Sequence, residues 1–370
     1  MKRRNLFRTT TIGGLAWAVG GLGNARPSAA LPPVKARLGH EVKRLTATNA
    51  AYLARFGVEG VGCLPEIKEE GRLFNTVEEL TQTRELAEKH GLKLEIINSV
   101  LLNSTHVDRE PHPAIMLAQS PQRDRDIEAF QTLIKNCAAA GIPTLKYNMS
   151  ILGVVRSASV PGRGDSLYAR WNYAEAEAAG EPPPTKAGPV NAEAFWERID
   201  YFLSRVVPVA NEYKVRIACH PQDPGMPQPK GWQGVDRVLG TVAGLKRFVS
   251  LHESPYHGLN FCQGTISEDL EDPNAQIGAV IRYFGTRRKI FNVHFRNIRG
   301  HRNDFMEVFP DEGSVDFVKA LKVYREVNYD GLLMPDHAPQ VPNDPAGQDE
   351  SFAFAFGHIR GLLQAEQHIL

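Results

Sequence analysis

The sequence predicts an α/β protein of the (β/α)₈ TIM-barrel class, with a long loop insertion after the fourth strand. Two observations carry that reading. From Leu31 onward, short apolar runs rich in β-formers alternate with longer stretches of helical period, the pattern of parallel strands joined by crossover helices. In addition, each of the last four runs ends near one side chain able to hold a metal ion, and a parallel barrel gathers its functional groups at that end of its strands. A chain of 370 residues accommodates a barrel, about 250 residues in its usual form, together with insertions.

The chain opens with MKRRNLFR, a weakly apolar stretch TTTIGGLAWAVGGLG and then NARPSAA. A basic start, a short apolar segment and small residues before Ala30 form a signal peptide, and the pair Arg3-Arg4 followed by Leu6-Phe7 resembles the twin-arginine type. Glycines at 13, 14, 20, 21 and 23 dilute a segment already too short to span a bilayer comfortably. The expected division is residues 1–30 as an export signal and residues 31–370 as one barrel domain. The expected destination is the periplasm, with no stable membrane span.

Eight strand candidates follow: Val34–His40, Val58–Leu64, Leu92–Val100, Pro143–Asn148, Lys214–His220, Gly258–Cys262, Lys289–Arg296 and Tyr329–Pro335. Between them, helices are predicted over Val77–His90, Asp124–Ala140, Phe195–Tyr213 and Val315–Val327. The first of these starts after the capping pair Asn75-Thr76 and ends on Lys89-His90-Gly91, a cationic last turn and a stop glycine. The second puts Ile127, Phe130, Leu133, Ile134 and Cys137 on one face, which makes Cys137 a core residue. Residues 157–190 break the rhythm with Gly, Pro, Ala and Ser, and read as a structureless insertion over the catalytic face of the barrel. Within it, Arg170, Trp171 and Tyr173 are candidates to cover a sugar ring, with a mobile surface loop as the alternative.

Bulk properties exclude other classes. Hydrophobic residues make up 42% and charged residues 23%, with a net charge of +1, so no basic stripe awaits a nucleic acid backbone. Four scattered cysteines give neither a disulfide framework nor a C-x-x-C pair.

Chemistry concentrates at the ends of strands five to eight, which carry His220, Cys262, His294 and Asp336. One of these residues alone is ordinary; four at the same end of four successive strands form a candidate metal site. The thiolate disfavours magnesium and calcium, whereas imidazole and carboxylate accept manganese, ferrous iron, cobalt or zinc. Four protein ligands would complete a tetrahedral structural zinc site, and with a more highly coordinated ion they leave positions for substrate oxygens.

The blocks HPQDPGMP from His220, FCQGTISE from Phe261, VHFRNIRG from Val293 and MPDH from Met334 resemble the signature blocks of the mannonate dehydratase family, in order and approximate spacing. Gly57–Val61 and Phe356–Leu362 extend the likeness over most of the chain that follows the signal. The resemblance implies a (β/α)₈ barrel and a divalent manganese or iron ion held by His220, Cys262, His294 and Asp336. It also implies dehydration of D-mannonate to 2-keto-3-deoxy-D-gluconate, in what would be a divergent, exported member. The chain departs from the family after Tyr147-Asn148, where an aromatic-Asp-Trp block is replaced by Met149–Gly153. It departs again in Glu307–Gly313, which lacks a histidine, and at Ala338-Pro339, where a glycine is usual after Asp-His.

Such a dehydration removes the proton beside a carboxylate and expels a hydroxide, so it needs a cation to offset developing charge and side chains to move protons. Arg296 is the candidate fork for the substrate carboxylate, His337 the candidate acid or base, and Asn297 a group to orient a hydroxyl. Asp223 is either a buttress for His220 or a turn residue. Two other readings remain: a metal-dependent periplasmic isomerase, epimerase or lyase on a keto-sugar, as in xylose-isomerase-like barrels, and a non-catalytic carbohydrate-binding protein. The expected partner is a small sugar acid or keto-sugar; the oligomeric state stays open, a homo-oligomer included.

Overall fold

Eight parallel strands, each hydrogen-bonded to its neighbours in chain order, close into a barrel. They are Arg37–Val42, Gly60–Cys63, Lys93–Asn98, Thr144–Asn148, Arg216–His220, His257–Cys262, Ile290–His294 and Leu332–Met334. The eighth closes on the first by pairing Leu332 with Arg37 and Leu333 with Leu38. The computed structural model describes residues 33–226, 231–344 and 348–368; the expected signal, residues 1–30, lies outside the described residues. Every strand foreseen from the sequence is present. The first runs two residues further than expected because Glu41 and Val42 pair with Gly62 and Cys63 of the second strand, although a charged residue there disguises the apolar run.

Side chains alternate along a strand with period two, and in a barrel one set faces the interior. Toward the C-terminal ends that set carries the even-numbered residues of strands two to eight and the odd-numbered residues of the first; lower down, register shifts before Ile96 in the third strand and before Asn292 in the seventh interrupt the alternation. His40 points outward, its ring 4.7 Å from that of Phe352 and 5.0 Å from that of Phe356 on the last helix, while Glu41 points inward. Leu332 and Met334 fill the interior with Ile96, and Asn292 bridges Asn260 at 2.5 Å in the layer above. Gly60 is small because of this filling: a Cβ there would sit 2.6 Å from Leu332 Cδ2. The lower barrel is therefore a packed plug, and polar side chains of the same inward set take over toward the C-terminal ends.

The crossover helices follow the predicted faces. Val77–Lys89 begins with a capping box between Thr76 and Glu79. Gln122–Ala139 buries Ile127, Phe130, Leu133, Ile134 and Cys137 against the barrel, while Ala192–Tyr213 and Phe317–Glu326 occupy the other two predicted positions. Among the described residues no helix is long and apolar enough to cross a membrane.

The insertion after the fourth strand differs from expectation, for it is ordered into local structure. Arg170–Asn172 adds a third strand to the hairpin Ile298–His301 and Asp304–Glu307, Val160–Pro161 pairs with Leu167–Tyr168, and Tyr173–Ala179 is helical. Trp171 is 1% exposed, edge-on to Trp232 at 5.4 Å. Arg170 is paired with Glu175 and Asp304. These side chains hold the insertion together instead of covering a ring. A pairing partner 130 residues away is invisible to local composition.

Glu79 is a pressure point of the second helix. It takes a two-pronged hydrogen bond from Arg72 at 3.0 and 2.6 Å and accepts from the backbone N–H groups of Lys68 and Thr76, both at 3.0 Å. The Arg72 guanidinium, against the opposing effect of burial, holds the carboxyl down at about 2 instead of 4.5. A depressed carboxyl contributes stability above its unfolded value and loses it as pH falls through the folded one. Glu79→Gln is therefore expected to destabilise the protein by about 1.5–3 kcal/mol at pH 7. The difference from wild type should shrink as pH drops from about 4.5 toward about 2, which chemical denaturation at several pH values will measure.

Candidate metal centre

His220, Cys262 and His294 are the final residues of the fifth, sixth and seventh barrel strands, and Asp336 lies two residues beyond the eighth. All four belong to the inward-facing set, so neighbouring strands deliver them to one place. One ligand-competent atom from each of the four lies within 4.8 Å of all the others.

Local contacts prepare each group. His220 Nδ1 is 2.6 Å from the carbonyl oxygen of Pro221; a carbonyl only accepts, so Nδ1 carries the hydrogen and the lone pair sits on Nε2. Cys262 caps the short helix Gln263–Ser267, with Thr265 N at 3.4 Å and Thr265 Oγ1 at 3.1 Å from its sulfur. Burial alone would push its thiol up, but the Arg296 guanidinium and His220 outweigh that and bring it well below the usual thiol value. Sulfur is thus set to be a thiolate, the form that binds metal. For His294, burial opposes charging, and the Asp336 carboxylate overrides it and raises the imidazole well above its usual value.

The donor set fits a cation. His294 Nδ1 lies 3.2 Å from Asp336 Oδ2, yet out of line for a hydrogen bond, and is a buried nitrogen with no hydrogen-bonded partner. Cys262 Sγ is 3.6 Å from the same carboxylate oxygen. Two imidazoles, a thiolate and a carboxylate facing a common point suit a divalent transition ion, which displaces the protons these groups otherwise share.

Arg296 occupies a position different in kind from the one expected. Its side chain is 1% exposed and each guanidinium nitrogen is committed to the protein. Nε donates to Asp336 at 3.3 Å, Nη1 to Glu268 at 2.8 Å and Glu307 at 3.2 Å, and Nη2 to Asp223 at 2.8 Å and Thr265 at 2.9 Å. No fork is left for a substrate carboxylate. Arg156 reinforces the same cage, donating to Asp223 and Glu307, each at 2.5 Å. Burial, then the nearby Asp223 charge, pushes the Glu268 carboxyl up to about 8. Asp223 is therefore a member of this cage, not a partner of His220. Asn297 is likewise engaged: its side-chain nitrogen donates to the carbonyls of Pro310 and Val315, and its oxygen accepts from Ile298 N and Val315 N. It clasps the segment after the hairpin and turns away from the opening.

A narrow cleft of about 70 Å³ opens over the candidate ligands, lined among others by Ser104, Lys146, Asn148, Ser150, His294 and His337. None of residues 157–190 lines it. His337 Nδ1 is 2.5 Å from Glu307 Oε1. Burial would lower this imidazole, but the Glu307 and Asp336 carboxylates raise it to about 9. Glu307 reaches the site on the hairpin to which the insertion adds its strand.

Sequence reasoning missed Glu41 and Lys146. Glu41 Oε2 is 3.3 Å from His294 Nε2, and Lys146 is ion-paired with the same carboxylate. The signal was available: a strand buried on both faces should read as continuously apolar, and a charged residue near the C-terminal end of such a strand points to the site.

Comparison with known proteins agrees with this architecture. The profile of the family described as D-mannonate dehydratase (UxuA) matches residues 44–171 and 186–369. A mannonate dehydratase of Thermotoga petrophila is 31% identical over 347 residues, covering 84% of this chain and 91% of its own. Among solved structures, a mannonate dehydratase from Streptococcus suis superposes with a TM-score of 0.74 at 21% identity, over 90% of this chain and 95% of that one. A 3-keto-D-glucoside 4-epimerase from E. coli shares the fold with a TM-score of 0.55 at 13% identity, over 87% of this chain and 99% of its own.

The purified chain is expected to carry about one divalent ion, and His294→Ala to lose most of it. Elemental analysis of both proteins checks this, and undiminished occupancy in the variant would remove His294 from the ligand set.

Proposed function

The chain belongs to the mannonate dehydratase family, and from that premise we propose that it is a hydro-lyase converting D-mannonate to 2-keto-3-deoxy-D-gluconate and water with a divalent ion, Mn²⁺ or Fe²⁺. The observation that carries this reading is the convergence of His220, Cys262, His294 and Asp336 beneath a cleft edged by His337. When bound, the ion would be held by those four residues and would offset the negative charge that develops beside the substrate carboxylate.

The remaining work belongs to the chain's own groups. His337 is held as an imidazolium by Glu307, and with Nδ1 committed to that carboxylate its Nε2–H is the proton source for the departing hydroxyl. Arg156 and Arg296 fix Glu307 from behind, which sets the direction of the His337 ring. Asn148, Ser104 and Ser150 line the cleft wall and can exchange hydrogen bonds with substrate hydroxyls. Among the described residues Lys146 is the one lysine or arginine on that lining; its ammonium has three donors and meets Glu41 with one. It replaces Arg296 as the group that faces the substrate carboxylate.

One observation favours a second reading. Lys146 is already paired with Glu41 and Arg296 is enclosed, so among the described residues every lysine or arginine at the cleft is engaged, and the cleft is also suited to a neutral keto-sugar. An isomerase or epimerase would use the same ion and the same His337.

Proton NMR of the metal-loaded enzyme with D-mannonate and with keto-sugars, in deuterated water, separates the readings. The expected result is a 2-keto-3-deoxy acid from D-mannonate, with His337→Ala slowing its formation by about 10²–10⁴-fold. Interconversion of sugars without that product would replace the dehydratase reading by the second one, and an unimpaired His337→Ala would remove His337 as the acid.

We also propose export by the twin-arginine route, on the strength of Arg3-Arg4 and the short apolar stretch behind them. Replacing both arginines by lysine should leave the protein in the cytoplasmic fraction, whereas unchanged periplasmic recovery would point to another route.

A further inference from the structure

Three strands on opposite sides of the barrel are joined by one line of contacts. Lys146 of the fourth strand is ion-paired with Glu41 of the first. Glu41 Oε2 stands 3.3 Å from His294 Nε2 on the seventh, and His294 Nδ1 on the far side of the ring stands 3.2 Å from Asp336 Oδ2. The His294 side chain is 2% exposed and those of Lys146 and Glu41 are 13% and 17% exposed. The Glu41 side chain lies over Gly62, where a Cβ would come within 2.9 Å of Glu41 Cγ; glycine makes room for the inward carboxylate.

We propose that Glu41 is a positioning residue for the candidate ligand His294, keeping the ring hydrogen on Nε2 so that the Nδ1 lone pair faces the cation site. The argument rests on the metal reading given above. A neutral imidazole has one N–H and one lone pair, and whichever group faces one nitrogen decides what the other offers. A carboxylate only accepts; with a cation shared by Nδ1 and Asp336, the one remaining ring hydrogen is on Nε2, facing Glu41. His220 shows the complementary arrangement: the Pro221 carbonyl at 2.6 Å holds its hydrogen on Nδ1 and leaves Nε2 to bind. The two histidines are thus set in opposite tautomers by two different acceptors. The acceptor on His294 is charged, which also makes its Nδ1 the more basic donor. Lys146 holds the Glu41 side chain in place.

Titrating the full-length metal-free chain with Co²⁺, followed by the thiolate-to-cobalt absorption that Cys262 would give, tests this without any turnover. Glu41→Ala is expected to weaken Co²⁺ binding by about 10–100-fold and to shift the absorption band. Glu41→Gln, which keeps an acceptor of the same size, should fall between it and wild type. Lys146→Met should weaken binding far less than Glu41→Ala, because it leaves the acceptor on Nε2. Equal losses in Glu41→Ala and Lys146→Met would mean that the ion pair matters only as a strut, and unchanged affinity in both Glu41 variants would mean that Glu41 does not act on His294; either overturns the proposal while leaving the metal site standing. Failure of the wild type to bind Co²⁺ would instead overturn the metal reading itself, and this inference with it.

Discussion

The catalytic end of this barrel depends on a buried guanidinium. Arg296 is in contact with carboxylates from four separate segments: Asp223 after the fifth strand, Glu268 after the sixth, Glu307 on the hairpin after the seventh and Asp336 after the eighth. Enclosing a charge in the interior costs several kcal/mol in lost solvation, and here each sign of charge is what makes the other tolerable. The cations Arg156, Arg296 and His337 face the carboxyl groups of Asp223, Glu268, Glu307 and Asp336. Removing a charged member leaves its partner's charge uncompensated where Arg296 is 1% exposed, so the arrangement is interdependent. Rigidity of this kind is what a metal-ligand set needs, since Asp336 lies beyond its strand and the segments that follow the other candidate ligands are separate in the chain.

The same cage explains how a fold shared with sugar epimerases is turned to one site chemistry. A (β/α)₈ scaffold fixes only that side chains at strand ends converge. Here the strands five to eight supply the candidate ligands, and the segments just beyond them supply the carboxylates that Arg296 and Arg156 bind. The insertion after the fourth strand takes part indirectly: by adding Arg170–Asn172 to the hairpin that bears Glu307, it stabilises the strand whose carboxylate charges His337. A segment that never touches the cleft thereby reaches the proposed proton donor through a single hydrogen bond.

Legibility of these features in the sequence follows from how local their causes are. The eight strands and main helices were readable because period and capping are properties of adjacent residues: Thr76 and Glu79 announce a helix without help from the rest of the chain. The four candidate ligands were readable because strand ends can be counted and aligned. Arg296 was not readable in its true setting: alternation says which way it points, but its partners arrive from four segments spread over more than a hundred residues. Asn297 failed for the same reason, since both of its carbonyl partners lie in a later turn. Trp171 looked like a cover for a ring because nothing local says that Trp232 will meet it.

Glu41 and Lys146 complete the division of labour around the barrel. On the fifth to eighth strands the inward set ends in the candidate ligands for a cation; on the first and fourth it ends in an ion pair that leans on one of those groups. The fourth strand goes on to Asn148 and the loop to Ser150, which with Ser104 make the cleft wall neutral and polar. A polyhydroxylated substrate entering such a cleft has one orientation that satisfies both sides. In the proposed dehydration its carboxylate and reacting carbons would lie toward the candidate cation site, Lys146 and His337, where charge is available, and its remaining hydroxyls along the neutral wall, where only hydrogen bonds are. Reversal would set hydroxyls against the ligand set and leave the carboxylate facing groups that cannot balance it, so the polarity of the cleft itself selects the end of the molecule that reacts.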